Sequence, residues 1–143
     1  MGLEDANLTL SARDIGTAGE HLACSVLHSF GWTAALVDAD GFDLLAIRAK
    51  EMLRIQVKTT LKRIDGYGYQ WQTNRGGGKA SLTPDDCDIV ACVALDIRRL
   101  VFFYVTDLAN RRTRRVSYSK MCAPDLEPTS WEAALAATKV TDP

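Results

Sequence analysis

Between Ser11 and Phe30 the positions Ile15, Gly19, Leu22, Val26 and Phe30 recur at helical spacing. One stripe of that segment is apolar and the rest polar, the pattern of a helix laid against another layer. Ser11 and Asp14 supply its start signals and Gly31 its stop. After Trp32 the period changes. Residues 32–37, 42–48 and 53–60 read as three strands, parted by the turn cluster Asp38-Ala39-Asp40-Gly41 and the connection Ala49-Lys50-Glu51-Met52. Residues 67–72 alternate aromatic and polar side chains, which suits a fourth strand with one wet face. Residues 88–96 and 100–106 read as a hairpin pair turned at Ile97-Arg98-Arg99. Thr129-Ser130-Trp131-Glu132 is a capping box that opens a last helix running to about Thr138. The order is helix, four strands, two more strands, helix: an α/β domain over residues 11–143, preceded by an arm at residues 1–10.

Composition narrows the class. A chain of 143 residues, 47% of them hydrophobic, is long enough for one proper core. No apolar run approaches the ~18 residues of a membrane span. The start Met1-Gly2-Leu3-Glu4-Asp5 lacks the basic and apolar regions of a secretory signal. The four cysteines show no C-x-x-C spacing, and Cys87 and Cys92 lie in or beside an apolar run, so both read as core thiols. A reducing, cytoplasmic setting is the simplest expectation. The net charge of −1 by itself argues nothing for nucleic acid; its distribution says more. Residues 54–120 carry 13 basic and 6 acidic groups, whereas residues 1–53 carry 3 and 8. A basic middle between acidic ends is either a footprint for phosphate or a set of solvated loops.

Chemistry concentrates at Asp43 and at Gln56-Val57-Lys58. Alternation points Gln56 and Lys58 to one face of their strand. That pair alone would be the wet face of an edge strand. If Arg48 faces Leu53 across the four-residue connection, Asp43 lies opposite Lys58 and Leu45 opposite Gln56, and all share that face. A one-residue slip would send Asp43 to the other side. Glu20 sits at the rim of the helical stripe, flanked by Gly16 and Gly19, which allow close approach to a sheet. Phosphodiester hydrolysis calls for a metal that neutralises charge and activates water. Asp43, Glu20, the Gln56 amide and the Val57 carbonyl supply oxygen donors of the kind magnesium prefers, with manganese as a substitute. Lys58 can position the water and offset phosphate charge.

These segments resemble the PD-(D/E)XK nuclease superfamily. The resemblance runs from Gly16-Thr17-Ala18-Gly19-Glu20 through Gly41-Phe42-Asp43-Leu44-Leu45 to Ile55-Gln56-Val57-Lys58-Thr59-Thr60. It is strongest toward the Gln-Xaa-Lys branch that includes intron-encoded homing endonucleases, with small Holliday junction resolvases similar in layout. Phe42 stands where proline is common, and Gln56 where most members carry a carboxylate. The resemblance implies a restriction-endonuclease-like core, a mixed central β-sheet flanked by helices. It also implies a metal-dependent DNA endonuclease, site-specific in the homing manner, working as a homodimer or homotetramer on double-stranded or branched DNA. Glu20, Asp43, Gln56 and Lys58 would be its catalytic set. A junction resolvase, or a module on the same fold that binds nucleic acid or protein without cutting, are the alternatives.

Basic residues follow the motif. Lys62, Arg63, Arg75 and Lys79, then Arg111, Arg112, Arg114 and Arg115, are the candidate DNA contacts. Tyr67, Tyr69 and Trp71 interleave them, either as stacking platforms or as a sheet face or interface. His21 and His28 read as exposed, Asp38 and Asp40 as turn formers, and Asp88 as a cap or ion-pair partner where a strand begins.

Overall fold

The computed structural model describes residues 10–74 and 81–140. The arm at residues 1–10 therefore lies outside them but for Leu10, as do Arg75 and Lys79. Helix α1 spans Ala12–Ser29 and opens on a complete capping box between Ser11 and Asp14. Strands β1 (Thr33–Ala39), β2 (Phe42–Arg48), β3 (Glu51–Thr60), β4 (Tyr69–Gln72), β5 (Ile89–Ala94), β6 (Arg99–Tyr104) and β7 (Thr113–Val116) follow. A 3-10 turn at Val105–Leu108 precedes β7, and helices α2 (Tyr118–Met121) and α3 (Leu126–Val140) close the chain. No helix among the described residues is long and apolar enough to cross a membrane.

Five strands form a mixed sheet in the order β1-β2-β3-β5-β6. All neighbours are antiparallel except β3 and β5, which run parallel. Alternation divides the sheet into two faces. Leu44, Ala46, Ile55, Val57, Ile89, Ala91, Val93, Leu100 and Phe102 face one core, closed by Ala23 and Leu27 of α1 and by Trp131, Ala134 and Leu135 of α3. Trp131 fixes that layer through ring contacts with Trp32 at 5.4 Å and Phe102 at 4.9 Å. The other face, with Val90, Cys92, Ala94 and Val101, is covered by Tyr69, Trp71 and Val116 of a separate two-stranded ribbon, β4 with β7, and by Met121. The fold is thus the expected mixed sheet flanked by helices. The ribbon over its second face is the part that the strand pattern did not foresee.

Several expectations need correction. The connection between β2 and β3 is two residues, not four: Arg48 faces Glu51 and Leu44 faces Ile55. Ala49 takes a left-handed turn conformation, φ 52°, and Arg48 pairs with Glu51 at 3.6 Å across the turn. The shift is two positions, so the face of every side chain is kept while its partner changes. Residues 105–106 turn into the 3-10 segment instead of extending the hairpin. Of the basic run at 111–115, residues 113–115 enter β7 while Arg111 and Arg112 precede it. The last helix begins at Leu126, ahead of the proposed capping box. Ser130 accepts the Phe102 N–H and donates to the Glu127 carbonyl, tying helix to sheet instead of starting it.

Candidate active site

The site forms where β2 and β3 part. Their pairing stops at Leu44 and Ile55. Continued, it would set Asp43 beside Gln56, not beside Lys58 as the four-residue connection had implied. Instead Asp43 turns its carboxylate into the gap, and Oδ2 accepts the Val57 N–H at 2.8 Å. A side chain has replaced a backbone partner, so the strands splay without leaving that donor unpaired. Asp43, Gln56 and Lys58 then line one hollow of about 150 Å³, with Ala39, Asp40 and Gly41 of the β1–β2 turn and Leu82. Gly41 is at φ 93°, and a Cβ there would meet the Asp86 backbone at 3.0–3.2 Å, so the turn docks closely on the neighbouring loop.

Glu20 stands on the helix side of β3, outside the hollow. Helix α1 approaches β3 so closely at Gly19 that a Cβ would lie 1.9 Å from Thr59 Oγ1. This contact points the glycine side of the helix at the site strand. Glu20 does not line the hollow, but its charge and that of Asp43 repel each other. Burial raises the Glu20 pKa above its ordinary value, with Asp43 adding to the rise and His21 opposing it. Burial likewise raises Asp43, opposed by the Val57 N–H and by Lys58. Lys58 moves the other way: burial lowers its pKa, with Asp43 the chief opposing influence. Its ammonium donates to the Asn74 carbonyl at 2.9 Å. No residue pattern signals that acceptor, because any residue type offers a backbone carbonyl. Lys58 also borders a second hollow of about 320 Å³, shared with Thr59, Gln70, Trp71, Gln72 and Asn74.

Among the described residues no group of three or more His, Cys, Asp or Glu could hold a metal ion. Burial raises the Asp43 and Glu20 pKa values, and Lys58 opposes the rise at Asp43 alone. The oxygen donors that line the hollow are the Asp43 and Asp40 carboxylates and the Gln56 amide; Glu20 and Val57 do not line it. That set fits a hard cation which keeps several waters.

The remaining candidates separate. Lys62, Arg63, Arg111 and Arg112 are exposed. Arg63 lies over the Tyr118 ring at 4.4 Å. Arg115 is exposed and lies over Tyr67 at 4.8 Å. Arg114 does not join them: β-alternation turns it inward, where its guanidinium sits over Phe103 at 4.8 Å. Tyr69 and Trp71 are buried and form a sheet face, leaving Tyr67 as the exposed aromatic of the three. His21 and His28 are exposed, and His28 meets the Ala34 backbone with Nε2. Asp88 pairs with Arg54 at 3.2 Å and accepts the Arg54 N–H, as a residue at the start of a strand was expected to do. Cys87 and Cys92 are buried thiols with pKa pushed up to about 12 by burial.

This architecture is a mixed five-stranded sheet flanked by helices, with one strand pair split at the site. Among solved structures the chain is similar to a bacterial homing endonuclease, I-Ssp6803I, with a TM-score of 0.68 and 15% sequence identity, covering 94% of this chain and 99% of that one. No protein-family model matches the sequence, and no curated protein does.

Proposed function

We propose that the protein is a magnesium-dependent DNA endonuclease of the PD-(D/E)XK type, in its Gln-Xaa-Lys variant. One observation carries the reading. The Asp43 carboxylate takes the Val57 N–H where β2 and β3 part, and so sets Asp43 at one hollow with Gln56 and Lys58. Likeness of fold to a homing endonuclease supports the same reading.

In this reading Asp43, Glu20, the Gln56 amide and the Val57 carbonyl hold the cation. When bound, it supplies charge neutralisation at the phosphate and a more acidic water. Lys58, steadied by the Asn74 carbonyl, orients the attacking water and stabilises charge that develops on the phosphate oxygens. Its lowered pKa brings the ammonium closer to proton exchange at working pH. Exposed Lys62, Arg63, Arg111 and Arg112 hold the backbone of the substrate, with Arg75 and Lys79 assigned to the same task from sequence alone. Two strands are cut by pairing subunits, so the working form is a homodimer or homotetramer.

The test is plasmid nicking with magnesium or manganese. Lys58→Ala and Asp43→Ala should each lower the rate by roughly 10²–10⁴-fold. Preference for four-way junctions over linear duplex would identify a resolvase instead of a site-specific cutter. DNA affinity without cleavage of any DNA form would leave a binding module on the same fold.

A further inference from the structure

The outer face of the β4–β7 ribbon has no part in the chemistry around Lys58. Antiparallel partners share a face. Tyr69 pairs with Val116 and Trp71 with Arg114, and these four form the inner side over the core. Gln70 pairs with Arg115 and Gln72 with Thr113, and these form the outer side. Every side chain in that outer row carries a hydrogen-bonding group, and none is a carboxylate. The row also borders the site directly, since Gln70 and Gln72 line the 320 Å³ hollow that Lys58 lines.

Arg115 is held in a particular pose. Its Nε donates to Gln70 Oε1 at 2.7 Å, and its guanidinium lies over Tyr67 at 4.8 Å. The bond uses Nε, so the two terminal amino groups keep the fork that matches a planar pair of acceptors. The fork matches phosphate and guanine alike; the uncharged hydrogen-bonding row of Gln70, Gln72 and Thr113 around it is what favours a base edge.

We propose that the β4–β7 ribbon reads bases in the major groove of duplex DNA beside the cleavage position, with Arg115 contacting a guanine and Gln70 positioning it. This deepens the endonuclease reading and rests on it. The major groove of B-form DNA admits a two-stranded ribbon, and a forked arginine matches guanine O6 and N7. A single strand would ask for free aromatic platforms. Here the exposed rings of Tyr67 and Tyr118 are already covered by Arg115 and Arg63. Duplex RNA is the poorer fit, because its major groove is too narrow for side chains to read.

The experiment selects binders from a randomised duplex pool with the full chain in EDTA, so that recognition is read without cutting. The wild type should enrich a motif with guanine at a fixed position. Arg115→Lys keeps the charge and loses the fork. It should retain affinity for random DNA while the preference for that guanine falls about tenfold or more. Gln70→Ala should lower the same preference by a smaller factor, with thermal stability unchanged in both variants. An Arg115→Ala variant that weakens all sequences equally and reduces the salt slope by about one would make Arg115 a phosphate contact and overturn the proposal. So would the absence of any enriched motif. If nicking persists in either case, the endonuclease reading stands without the ribbon's role. If no duplex binds at all and magnesium supports no nicking, both fall.

Discussion

Strand β5 and the β2–β3 pair lie in one sheet and are built in opposite ways. Every residue of β5 is buried, and it is paired along its whole length, parallel to β3 on one side and antiparallel to β6 on the other. The β2–β3 pair abandons its ladder after Leu44 and Ile55 and hands the Val57 N–H to a carboxylate. The same strand, β3, takes part in both arrangements. Its β5 edge is locked in register at Gln56, Val57 and Lys58, so its β2 edge can open without the three residues losing their places. A site needs groups held rigidly and yet short of partners, and a half-released strand beside a fully paired one provides both.

Breaking the locked half should have the largest effect. Trp131 on α3 is 1% exposed and contacts Trp32, Phe30 and Phe102. Trp131→Ala should cost about 3–5 kcal/mol of unfolding free energy by denaturant titration. The contact that joins the helix to the open half is next. At Gly19 an added Cβ would meet Thr59 Oγ1 at 1.9 Å and Thr59 Cβ at 2.9 Å. Gly19→Ala should cost about 1–3 kcal/mol by overpacking. It should also lower nicking beyond what lost stability explains, since the helix that lifts away carries Glu20. Adding Thr59→Ala removes the closer clash but not the 2.9 Å one, so it should restore only part of both. Full recovery of nicking by the double variant would separate Glu20 from the site.

The layers of the fold were legible because periodicity records which side of an element is dry. The α1 stripe and the strand alternation placed Asp43, Gln56 and Lys58 correctly by face. Their pairing was not legible. A two-residue and a four-residue connection preserve the same parity, and nothing in Ala49-Lys50-Glu51-Met52 announces that Ala49 adopts a positive φ. The run at 111–115 concealed a strand because its inward positions are Arg114 and Val116, and an arginine over Phe103 does not look apolar in sequence. Gln70 and Gln72 had been visible only as the wet half of an alternation. What they face, Lys58 across a hollow, depends on the ribbon folding back on the sheet.

The smallest effect is the most telling about the open half, because its sign differs from that of a core substitution. Burial raises the Asp43 and Glu20 pKa values, so each favours the folded chain fully only below the ordinary carboxylate range. That contribution is lost as pH rises through the raised values. Lys58 runs in reverse: with its pKa lowered, its contribution is complete only above the ordinary lysine value and is lost as pH falls through the depressed one. The cation-free site therefore groups two carboxyls and an amine whose charged forms burial disfavours, with Asp43 and Lys58 each opposing the other's shift. Asp43→Asn keeps an oxygen for the Val57 N–H and removes one charge, leaving Lys58 without its chief opposing influence. Because burial outweighs both the Val57 N–H and Lys58 at Asp43, relief of that desolvated charge should outweigh the loss slightly. The variant should melt a few degrees or less above wild type at neutral pH in EDTA, a gap that closes as pH falls through the carboxylate range. Magnesium should raise the wild-type melting temperature and leave Asp43→Asn nearly unmoved, by preferential binding to the folded state. A variant that melts lower at neutral pH, and gains from magnesium as wild type does, would mean that Asp43 serves to fasten β2 to β3 and not to hold a cation.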